Sequence, residues 1–227
     1  MTGPDDRTMT AWMMTELGQP FQQRDLPLPS PAAGEVLIKV AGCGVCHTDI
    51  SFLHSGVKTR AELPLVLGHE ISGTVLELGS GVDPGLLGRP VLVPAVLPCG
   101  ECSVCVRGHR RICGSQIMPG NDRHGGFATH VVVPARYVCT IPPEVLAESE
   151  LWELAIVADA VTTPFQAIRR SGLGEGDLAI FIGVGGIGLH GVQIAHAVGA
   201  KVVAMDVDPP KLDVALTAGA DAVIDVR

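Results

Sequence analysis

The sequence predicts an α/β protein in which an antiparallel β domain precedes the start of a doubly wound parallel sheet. Short β-type runs separated by Gly and Pro dominate residues 1–150, and no long helical period interrupts them. Helix-like and strand-like segments alternate over residues 151–227, which is typical of parallel βαβ units. We therefore divide the chain into two domains near residue 150.

The first half contains four segments with the composition of β-strands. Val, Ile and Leu are concentrated in them, and Gly or Pro marks their ends. Turns rather than helices connect them, which favours an antiparallel, partly barrel-like domain. The segments are EVLIKVAG, ISGTVLELG, PVLVPAV and FATHVVVPARYVCTIP.

The second half begins with ELWELAIVADAVTTPFQAIRRSG, a helix-like segment in which Pro164 predicts a break. Two strand–helix pairs and the start of a third strand follow. Because a doubly wound domain has two βαβαβ halves, we expect here only the first half of such a domain, in the N-terminal portion of a longer protein. In order, the segments are LAIFIGV, GIGLHGVQIAHAVGA, KVVAMDVD, PPKLDVALTAGA and DAVIDVR.

Charge and composition argue against several classes of partner. The net charge of −8 is spread over many short segments without a basic stripe, which argues against nucleic acid. The acidic N-terminus lacks the apolar core of a secretion signal. Residues 178–200 are uncharged and long enough to span a bilayer, but their glycines and histidines favour a buried strand, turn and helix. We expect neither a nucleic-acid nor a membrane partner.

Seven cysteines without a secretion signal favour metal or thiol chemistry in the cytoplasm over disulfides. Four of them follow a C-x2-C-x2-C-x7-C pattern, and such short spacers let thiolates converge from one loop. An iron–sulfur cluster is the alternative, but in the ferredoxin motif three residues separate the third Cys from the fourth, and Pro follows the fourth. The longer spacer and Gly114 favour a structural zinc ion in a lobe at about residues 98–114, bound by Cys99, Cys102, Cys105 and Cys113.

A second set of metal-ligand residues is spread along the chain. GCGVCHTDI contains Cys46, LGHEISG contains His69 and Glu70, and IVADAVTTPF places Asp159 in an apolar run where a carboxylate needs a partner. Taken singly, Cys46 fits a redox C-x-x-C that starts at Cys43, although no helix-like segment clearly follows it. His69 alone fits a half-buried histidine, and Asp159 alone fits a helix cap or the partner of an arginine. Together, a thiolate, an imidazole and a carboxylate suit a catalytic zinc with an open fourth position.

FIGVGGIG predicts a dinucleotide-binding turn between a strand and a helix. Its Gly183, Gly185 and Gly188 form G-x-G-x-x-G, a pattern that is weak alone but is strengthened by this context. Asp206 ends the next strand, where a carboxylate accepts hydrogen bonds from the adenosine ribose and repels a 2′-phosphate. The pattern therefore favours NAD over NADP.

These motifs, in this order, resemble the zinc-dependent medium-chain alcohol dehydrogenases from about Glu35 to the last residue. The resemblance implies a GroES-like β-barrel followed by a truncated Rossmann domain, with two Zn²⁺ ions per chain and NAD. It also implies that Cys46, His69 and Asp159 bind the catalytic zinc, since the third ligand is often Cys in the family but acidic in some members. Glu70 can also approach the metal in this family.

The resemblance assigns further roles around the catalytic zinc. Thr48 would begin a proton relay that runs through the cofactor ribose. The family commonly has His where this chain has Ser51, so the relay ends either at Ser51 and solvent or at His54. The implied cofactor contacts are His47 near the phosphates, Thr163 against the nicotinamide ring and Lys211 at the ribose.

The expected activity is oxidation of a small-molecule alcohol to a ketone by a homodimer or homotetramer, as the resemblance implies. AGCGVCHTDI, LGHEISGTV, VPAVLPCGEC, MPGN and VADAVTTPFQA resemble the branch that oxidises 6-hydroxycyclohex-1-ene-1-carbonyl-CoA to 6-oxocyclohex-1-ene-1-carbonyl-CoA in anaerobic benzoyl-CoA degradation. The first alternative is a dehydrogenase for a simple alcohol or polyol. The others are a non-catalytic, zinc-stabilised fragment and a zinc-free enoyl or quinone reductase, which would lack these cysteine and histidine motifs.

Overall fold

A computed structural model describes residues 7–227 of the chain. The first residues of the acidic N-terminus, which bear on the expectation about secretion, lie outside this range. The described residues form two compact units, one ending at Ala158 and the other comprising Asp159–Arg227. The boundary predicted near residue 150 lies shortly before this division.

The first unit consists mainly of antiparallel strands. One sheet has three strands in the order β2-β1-β4, and another has five in the order β7-β3-β5-β6-β8. The antiparallel domain predicted for this half is therefore confirmed. Its elements are β1 (Thr8–Met14), β2 (Gln22–Pro27), β3 (Glu35–Gly44), α1 (His47–His54), β4 (Leu65–Val66), β5 (Glu70–Leu78), β6 (Pro90–Val93), α2 (Ser103–Val106), β7 (His130–Pro134), β8 (Cys139–Thr140) and α3 (Pro143–Leu146).

The core of the five-stranded sheet follows from alternation along its strands. Every second residue points to the same face of a strand, so apolar residues two apart bury one face together. Val36 and Ile38 of β3 pack with Ile71 and Val75 of β5, and all four side chains are fully buried. This packing holds β3 and β5 together, and candidate metal ligands lie just after the end of β3 and at the start of β5.

A short helix follows Cys46, so the expectation that no helix follows the C-x-x-C segment is wrong. The carboxylate of Asp49, the third residue of α1, accepts a hydrogen bond from the Cys46 N–H group at 3.0 Å. This contact satisfies one backbone donor that a helix N-terminus otherwise leaves unpaired. The helix has only eight residues, too few for an apolar period to be recognised in the sequence.

The second unit contains the predicted parallel βαβ arrangement, which is confirmed. Its three strands pair in the order β11-β10-β9, and Val192, Ala195, Val202 and Ala204 form part of the helix–sheet core. The elements are α4 (Thr162–Ser171), β9 (Leu178–Ile182), α5 (Gly186–Ala197), β10 (Lys201–Asp206), α6 (Pro209–Thr217) and β11 (Ala222–Asp225). Within the described part of the chain, no helix has both the length and the apolar character needed to cross a membrane.

The segment predicted as one helix with a break at Pro164 forms two helices, and the division between them lies before Pro164. A 3-10 helix covers Glu153–Ala158, and α4 begins at Thr162. Pro164 is the third residue of α4, where its missing N–H group would have no partner within the helix. Pro164 therefore stands in the first turn of a helix and does not break one.

Candidate metal centres and dinucleotide loop

The four cysteines of the lobe converge on one point. Cys102 precedes α2, Cys105 lies within it, and Cys113 follows a 3-10 helix at Arg110–Ile112. The four Sγ atoms lie within 4.8 Å of one another. We refer to Cys99, Cys102, Cys105 and Cys113 as the cysteine cluster.

The sulfur separations in the cysteine cluster fit a single tetrahedral zinc ion. Zinc–sulfur bonds of about 2.3 Å in tetrahedral geometry place sulfur atoms about 3.8 Å apart. The Sγ atom of Cys99 lies 3.5 Å from that of Cys113 and 3.9 Å from that of Cys105, and the Cys102–Cys113 separation is 3.9 Å. All seven cysteines are free thiols, so no disulfide accounts for this convergence.

Two thiols of the cluster differ in their local environment. Backbone N–H groups of Glu101 and Cys102 donate to Cys99 and lower its thiol pKa to about 6. Burial raises the pKa of Cys105 to about 12. A bound cation would favour the thiolate form of all four residues, since metal coordination deprotonates thiols.

Contacts from the 3-10 turn Ala135–Tyr137 reach the cysteine lobe. The Arg136 guanidinium donates to the backbone oxygen of Cys99, and the Arg110 guanidinium lies 5.7 Å from the centre of the Tyr137 ring. Gly100 has a positive φ, and a Cβ atom there would lie 2.2 Å from Arg136 Nη1. The lobe is thus held by backbone and side-chain contacts as well as by its cysteines.

A second cluster combines Cys46, His69, Glu70 and Asp159, and we call it the mixed cluster. One possible ligand atom from each residue lies within 4.8 Å of the other three. Cys46 lies between β3 and α1, His69 and Glu70 stand at the start of β5, and Asp159 directly follows the 3-10 helix that ends at Ala158. The Ala158 carbonyl oxygen accepts a hydrogen bond from the Ala95 N–H group, so the chain preceding Asp159 is held by the first unit itself.

The donor set of the mixed cluster fits a zinc ion. Sulfur, imidazole nitrogen and carboxylate oxygen are the ligands that zinc takes in proteins. His69 and Glu70 are only 1% and 2% exposed, and a cation among these donors would offset the repulsion between two neighbouring carboxylates. A catalytic zinc has three protein ligands, so one of the two carboxylates must stand back to leave a position open.

Asp49 contacts two parts of the mixed cluster, a role that the sequence analysis did not assign to it. Its carboxylate is buried and accepts hydrogen bonds from the N–H groups of Cys46 and Gly68, at 3.0 and 3.1 Å. The Asp49 Oδ1 atom, which accepts the Gly68 bond, also lies 3.6 Å from Nδ1 of His69. A carboxylate on this side of the ring favours a proton on Nδ1 and leaves Nε2 for a metal. The helix-capping position of Asp49, three residues after Cys46, is the sequence signal that could have identified it.

Thr163 contacts the other end of the mixed cluster. Its hydroxyl donates to Oδ1 of Asp159 at 2.6 Å, and its N–H group donates to the Asp159 backbone oxygen at 2.9 Å. Hydrogen bonds of this kind orient the carboxylate ligands of metal sites. The family resemblance implies that Thr163 lies against the nicotinamide ring, and that contact stays a prediction.

The predicted relay residues follow one another along α1. Thr48, Ser51 and His54 are spaced three residues apart, which makes successive pairs neighbours on a helix surface. The Thr48 hydroxyl lies 3.6 Å from Cys46 Sγ, and exposure increases from the partly buried Thr48 and Ser51 to the exposed His54. His47, the first residue of the helix, is exposed. Their roles in proton transfer and cofactor binding stay predictions.

Cys43 has the environment of a protonated thiol. Burial, and next the negative charge of Asp49, raise its pKa. Redox-active cysteines need thiolate character and exposure. The structure therefore does not favour the hypothesis that Cys43 and Cys46 form a redox-active C-x-x-C pair.

The glycine-rich turn joins β9 to the N-terminus of α5. Gly183 has a φ of +89°, and a Cβ atom on Gly188 would lie 2.0 Å from the Gly183 carbonyl oxygen. A Cβ atom on Gly185, in contrast, would meet no atom within 4 Å. Two glycines thus permit the tight turn, while Gly185 leaves open space beside the helix N-terminus, where a phosphate can bind.

Asp206 binds the backbone of this turn and of the residues that follow it. Its Oδ2 accepts from the Val184 N–H group at 2.8 Å, and its Oδ1 accepts from the N–H groups of Val207 and Asp208 at 2.8 and 3.0 Å. The Val184 hydrogen bond contributes most to lowering the Asp206 pKa. A carboxylate accepts about four hydrogen bonds, so one acceptor position remains on Oδ2 for a ribose hydroxyl. Lys211 Nζ lies 3.6 Å from an Asp208 oxygen.

Comparison with known families matches both units. The family described as "Alcohol dehydrogenase GroES-like domain" matches residues 32–143, and "Zinc-binding dehydrogenase" matches residues 186–227. An alcohol dehydrogenase of Geobacillus stearothermophilus is 34% identical over 220 residues, covering 96% of this chain and 64% of the relative. The acryloyl-coenzyme A reductase of Metallosphaera sedula is 32% identical over 198 residues, covering 86% and 58%.

Solved structures are similar over almost the whole chain. Acetophenone reductase from Geotrichum candidum, in complex with NAD, has a TM-score of 0.86 and 31% identity, with 98% of this chain and 65% of that chain covered. A protein of Sinorhizobium meliloti 1021 bound to NADP has a TM-score of 0.86 and 31% identity, with 97% and 62% covered. This chain thus spans between 58% and 65% of the length of these relatives. Its matched families, its antiparallel first unit and its parallel second unit show that it belongs to the zinc-dependent medium-chain alcohol dehydrogenases.

Proposed function

We propose that the protein oxidises an alcohol to a ketone with two zinc ions per chain and NAD. The observation that carries this proposal is the mixed cluster, in which a thiolate, an imidazole and two carboxylates lie within 4.8 Å of one another. The cysteine cluster would hold the second zinc ion, which stabilises the lobe, because four thiolates leave no position for a substrate.

Zinc in the mixed cluster would polarise the substrate oxygen and lower the pKa of the alcohol. Cys46 and His69 would supply the sulfur and nitrogen ligands. Asp159 is the better candidate for the third ligand, because Thr163 already orients its carboxylate. Asp49 would hold the His69 ring so that Nε2 is available to the metal.

The hydroxyl of Thr48 would accept the alcohol proton while it passes its own proton on through the cofactor ribose. Its oxygen lies 3.6 Å from Cys46 Sγ, beside the mixed cluster, and is partly buried. The spacing of Ser51 and His54 along α1 leads from this position towards solvent. The relay would end either at Ser51 and solvent or at His54, which stands one further step along the helix.

The glycine-rich turn and Asp206 would hold the dinucleotide, which accepts the hydride from the substrate carbon. The remaining acceptor position on Asp206 Oδ2 suits a ribose hydroxyl, and the negative charge disfavours a 2′-phosphate. These features support NAD as the cofactor, although one similar structure contains NADP. His47, Thr163 and Lys211 complete the proposed set of cofactor contacts.

The proposed substrate is 6-hydroxycyclohex-1-ene-1-carbonyl-CoA, a cyclic allylic alcohol carried as a CoA thioester. The sequence motifs resemble 6-hydroxycyclohex-1-ene-1-carbonyl-CoA dehydrogenase, which would place the protein in anaerobic aromatic degradation. A relative named for a CoA thioester substrate, acryloyl-coenzyme A reductase, is compatible with this assignment. A simple alcohol or polyol is the second candidate, favoured by the Geobacillus relative named alcohol dehydrogenase.

A substrate panel tests this proposal. The intact, zinc-loaded protein would receive the CoA thioester beside a primary alcohol, a secondary alcohol and a polyol, with NADH formation as the signal. A large preference in kcat/KM for the thioester supports the aromatic-degradation assignment. Turnover of the simple alcohols alone keeps the proposed chemistry and excludes the thioester assignment. The absence of NADH formation with every substrate contradicts the proposed activity.

We also propose a cytoplasmic location and assembly into a homodimer or homotetramer. Seven free thiols support a reducing compartment, since such thiols tend to form disulfides where conditions are oxidising. The oligomer is proposed from the family resemblance. Sedimentation of the intact protein would measure its state of association.

A further inference from the structure

Two glycines lie on one face of β3, directly opposite two polar residues of β5. Gly42 pairs with Ser72, and Gly44 pairs with Glu70. Directly opposed residues of an antiparallel pair point to the same face of the sheet. Neither glycine has a positive φ, so the backbone at these positions would accept a side chain. What distinguishes glycine at these two positions is that neighbouring atoms occupy the space that a Cβ atom would need.

The absence of a side chain at Gly42 leaves space for the backbone of Trp152. A Cβ atom there would lie 2.5 Å from the carbonyl oxygen of Trp152 and 2.9 Å from its Cα atom. Trp152 immediately precedes the 3-10 helix Glu153–Ala158, which packs on β3, β5 and β6. Because backbone cannot rotate away, a side chain at Gly42 would displace this segment as a whole.

The absence of a side chain at Gly44 leaves space for the side chain of Glu70. A Cβ atom there would lie 2.0 Å from Oε2 of Glu70 and 3.1 Å from both its Cβ and its Cδ atoms. The closest atom is the end of a flexible side chain, which can move without moving the strand. A side chain at Gly44 would therefore displace mainly the Glu70 carboxylate, whereas the Glu70 Cβ and Cδ atoms would have to give by only a few tenths of an ångström.

We infer that Gly44 is a positioning residue of the mixed cluster, because the absence of a side chain there allows the Glu70 carboxylate to stand beside the other donors. This inference rests on the proposed function, in which the mixed cluster holds zinc. An ordinary contact with a Cβ atom is at least 3.4 Å long, so Oε2 would have to move by about 1.4 Å, the difference between 3.4 and 2.0 Å. Zinc–oxygen bonds are about 2.0–2.2 Å long, so this movement is enough to remove the carboxylate from the metal or from its immediate surroundings.

Zinc affinity in three variants of the intact protein tests the inference. Glu70→Ala and Gly44→Ala should each weaken zinc binding at the mixed cluster by about 10- to 100-fold, the usual effect of changes around a metal ligand set. The double variant should bind zinc as Glu70→Ala does, because the methyl group then has no carboxylate to displace. Chelator competition measures affinity, and metal analysis counts ions per chain. The zinc of the cysteine cluster serves as the internal control.

Several outcomes would overturn the inference. Wild-type zinc affinity in Gly44→Ala would show that the carboxylate does not depend on the space at residue 44. A further loss of affinity in the double variant would show that Gly44 acts on something other than Glu70. A wild-type protein with a single zinc ion, bound by the cysteine cluster, would overturn the proposed function and this inference together.

Gly42→Ala separates positioning from folding. Since its Cβ atom would meet backbone, this variant should lower the melting temperature clearly, whereas Gly44→Ala should keep a melting temperature close to that of the wild type. Equal destabilisation by the two substitutions would contradict a positioning role for Gly44.

Discussion

The two ligand clusters of this chain are assembled in different ways. The cysteine cluster draws four identical ligands from one loop between residues 99 and 113. The mixed cluster draws three kinds of ligand from the ends of β3 and β5 and from the chain after the 3-10 helix Glu153–Ala158. The first depends mainly on spacing in the sequence, and the second depends on the register of strands and on packing between distant segments.

This difference fits the two chemical tasks that we propose for the clusters. Four thiolates from one short loop make a closed site that stabilises the lobe. The mixed cluster offers four donors, whereas an open zinc site takes three protein ligands. We therefore expect neighbouring residues to determine which of the two carboxylates approaches the metal. Asp49 contacts Cys46 and His69, Thr163 donates to Asp159, and Gly44 leaves the space that the Glu70 carboxylate occupies. Loss of a ligand should therefore act locally in the lobe, whereas the mixed cluster should respond to residues outside the ligand set as well.

Cys113→Ser should have the largest effect on metal binding. Structural zinc sites contribute about 10–16 kcal/mol, so an equal share for each of four ligands is about 2.5–4 kcal/mol, or roughly a 100- to 1,000-fold loss of affinity. Metal analysis should then find one zinc ion per chain, held by the mixed cluster. Two retained ions would show that the lobe needs only three thiolates, and loss of both would show that the clusters are coupled. Cys139→Ser, at a cysteine outside both clusters, is the matched control.

Asp159→Asn should weaken zinc binding at the mixed cluster by about 100-fold, the upper end of the range for changes around a metal site. The amide keeps the shape of the carboxylate but loses its negative charge. Zinc content should fall towards one ion per chain, and alcohol oxidation should fall with it. Glu70→Gln is the matched comparison, because it makes the same change in the other carboxylate. If Glu70→Gln removes the metal and Asp159→Asn does not, the assignment of the third ligand is reversed.

Sequence patterns were sufficient for the parts of the molecule that repeat or are local. The alternation of strands and helices after residue 150 predicted the parallel sheet, and the spacing of the four cysteines predicted their convergence. The sequence does not reveal the helix α1, because it is short and its start depends on one side-chain cap. Periodicity alone does not locate Pro164 relative to the start of a helix, so it cannot distinguish a proline in a first turn from one that breaks a helix.

Residues that support the ligands were harder to predict than the ligands themselves. Asp49 and His69 are twenty residues apart, and only the pairing of β3 with β5 brings their elements together. The family resemblance places Thr163 at the cofactor, and sequence alone does not show that its hydroxyl also donates to Asp159. Gly44 carries no functional group, so its effect is visible only as the space that Glu70 occupies.

Thr163→Val should weaken zinc binding at the mixed cluster by roughly tenfold, the lower end of the effect of removing a partner of a ligand. Valine has nearly the same shape but cannot donate to Oδ1 of Asp159. Thr162→Val is a close control, since that hydroxyl bonds the Asp159 backbone oxygen rather than the carboxylate. Zinc competition on both variants measures the difference, and equal affinities would show that the Thr163 hydroxyl does not orient the ligand.

The corresponding change beside the cysteine cluster, Arg136→Met, should have the smallest effect. The guanidinium bonds the Cys99 backbone oxygen rather than a ligand atom, and it is exposed, so its loss should cost about 0.5–1 kcal/mol of stability. Zinc affinity should stay within about twofold of the wild-type value, since no sulfur atom loses a bond. Arg107→Met changes another exposed arginine of the lobe and controls for the loss of charge. A tenfold fall in zinc affinity for Arg136→Met alone would mean that the cysteine cluster, like the mixed cluster, depends on residues outside its ligand set. The contrast between the two clusters would then be one of degree, because a loop that supplies all four ligands would still need the barrel to hold them in place.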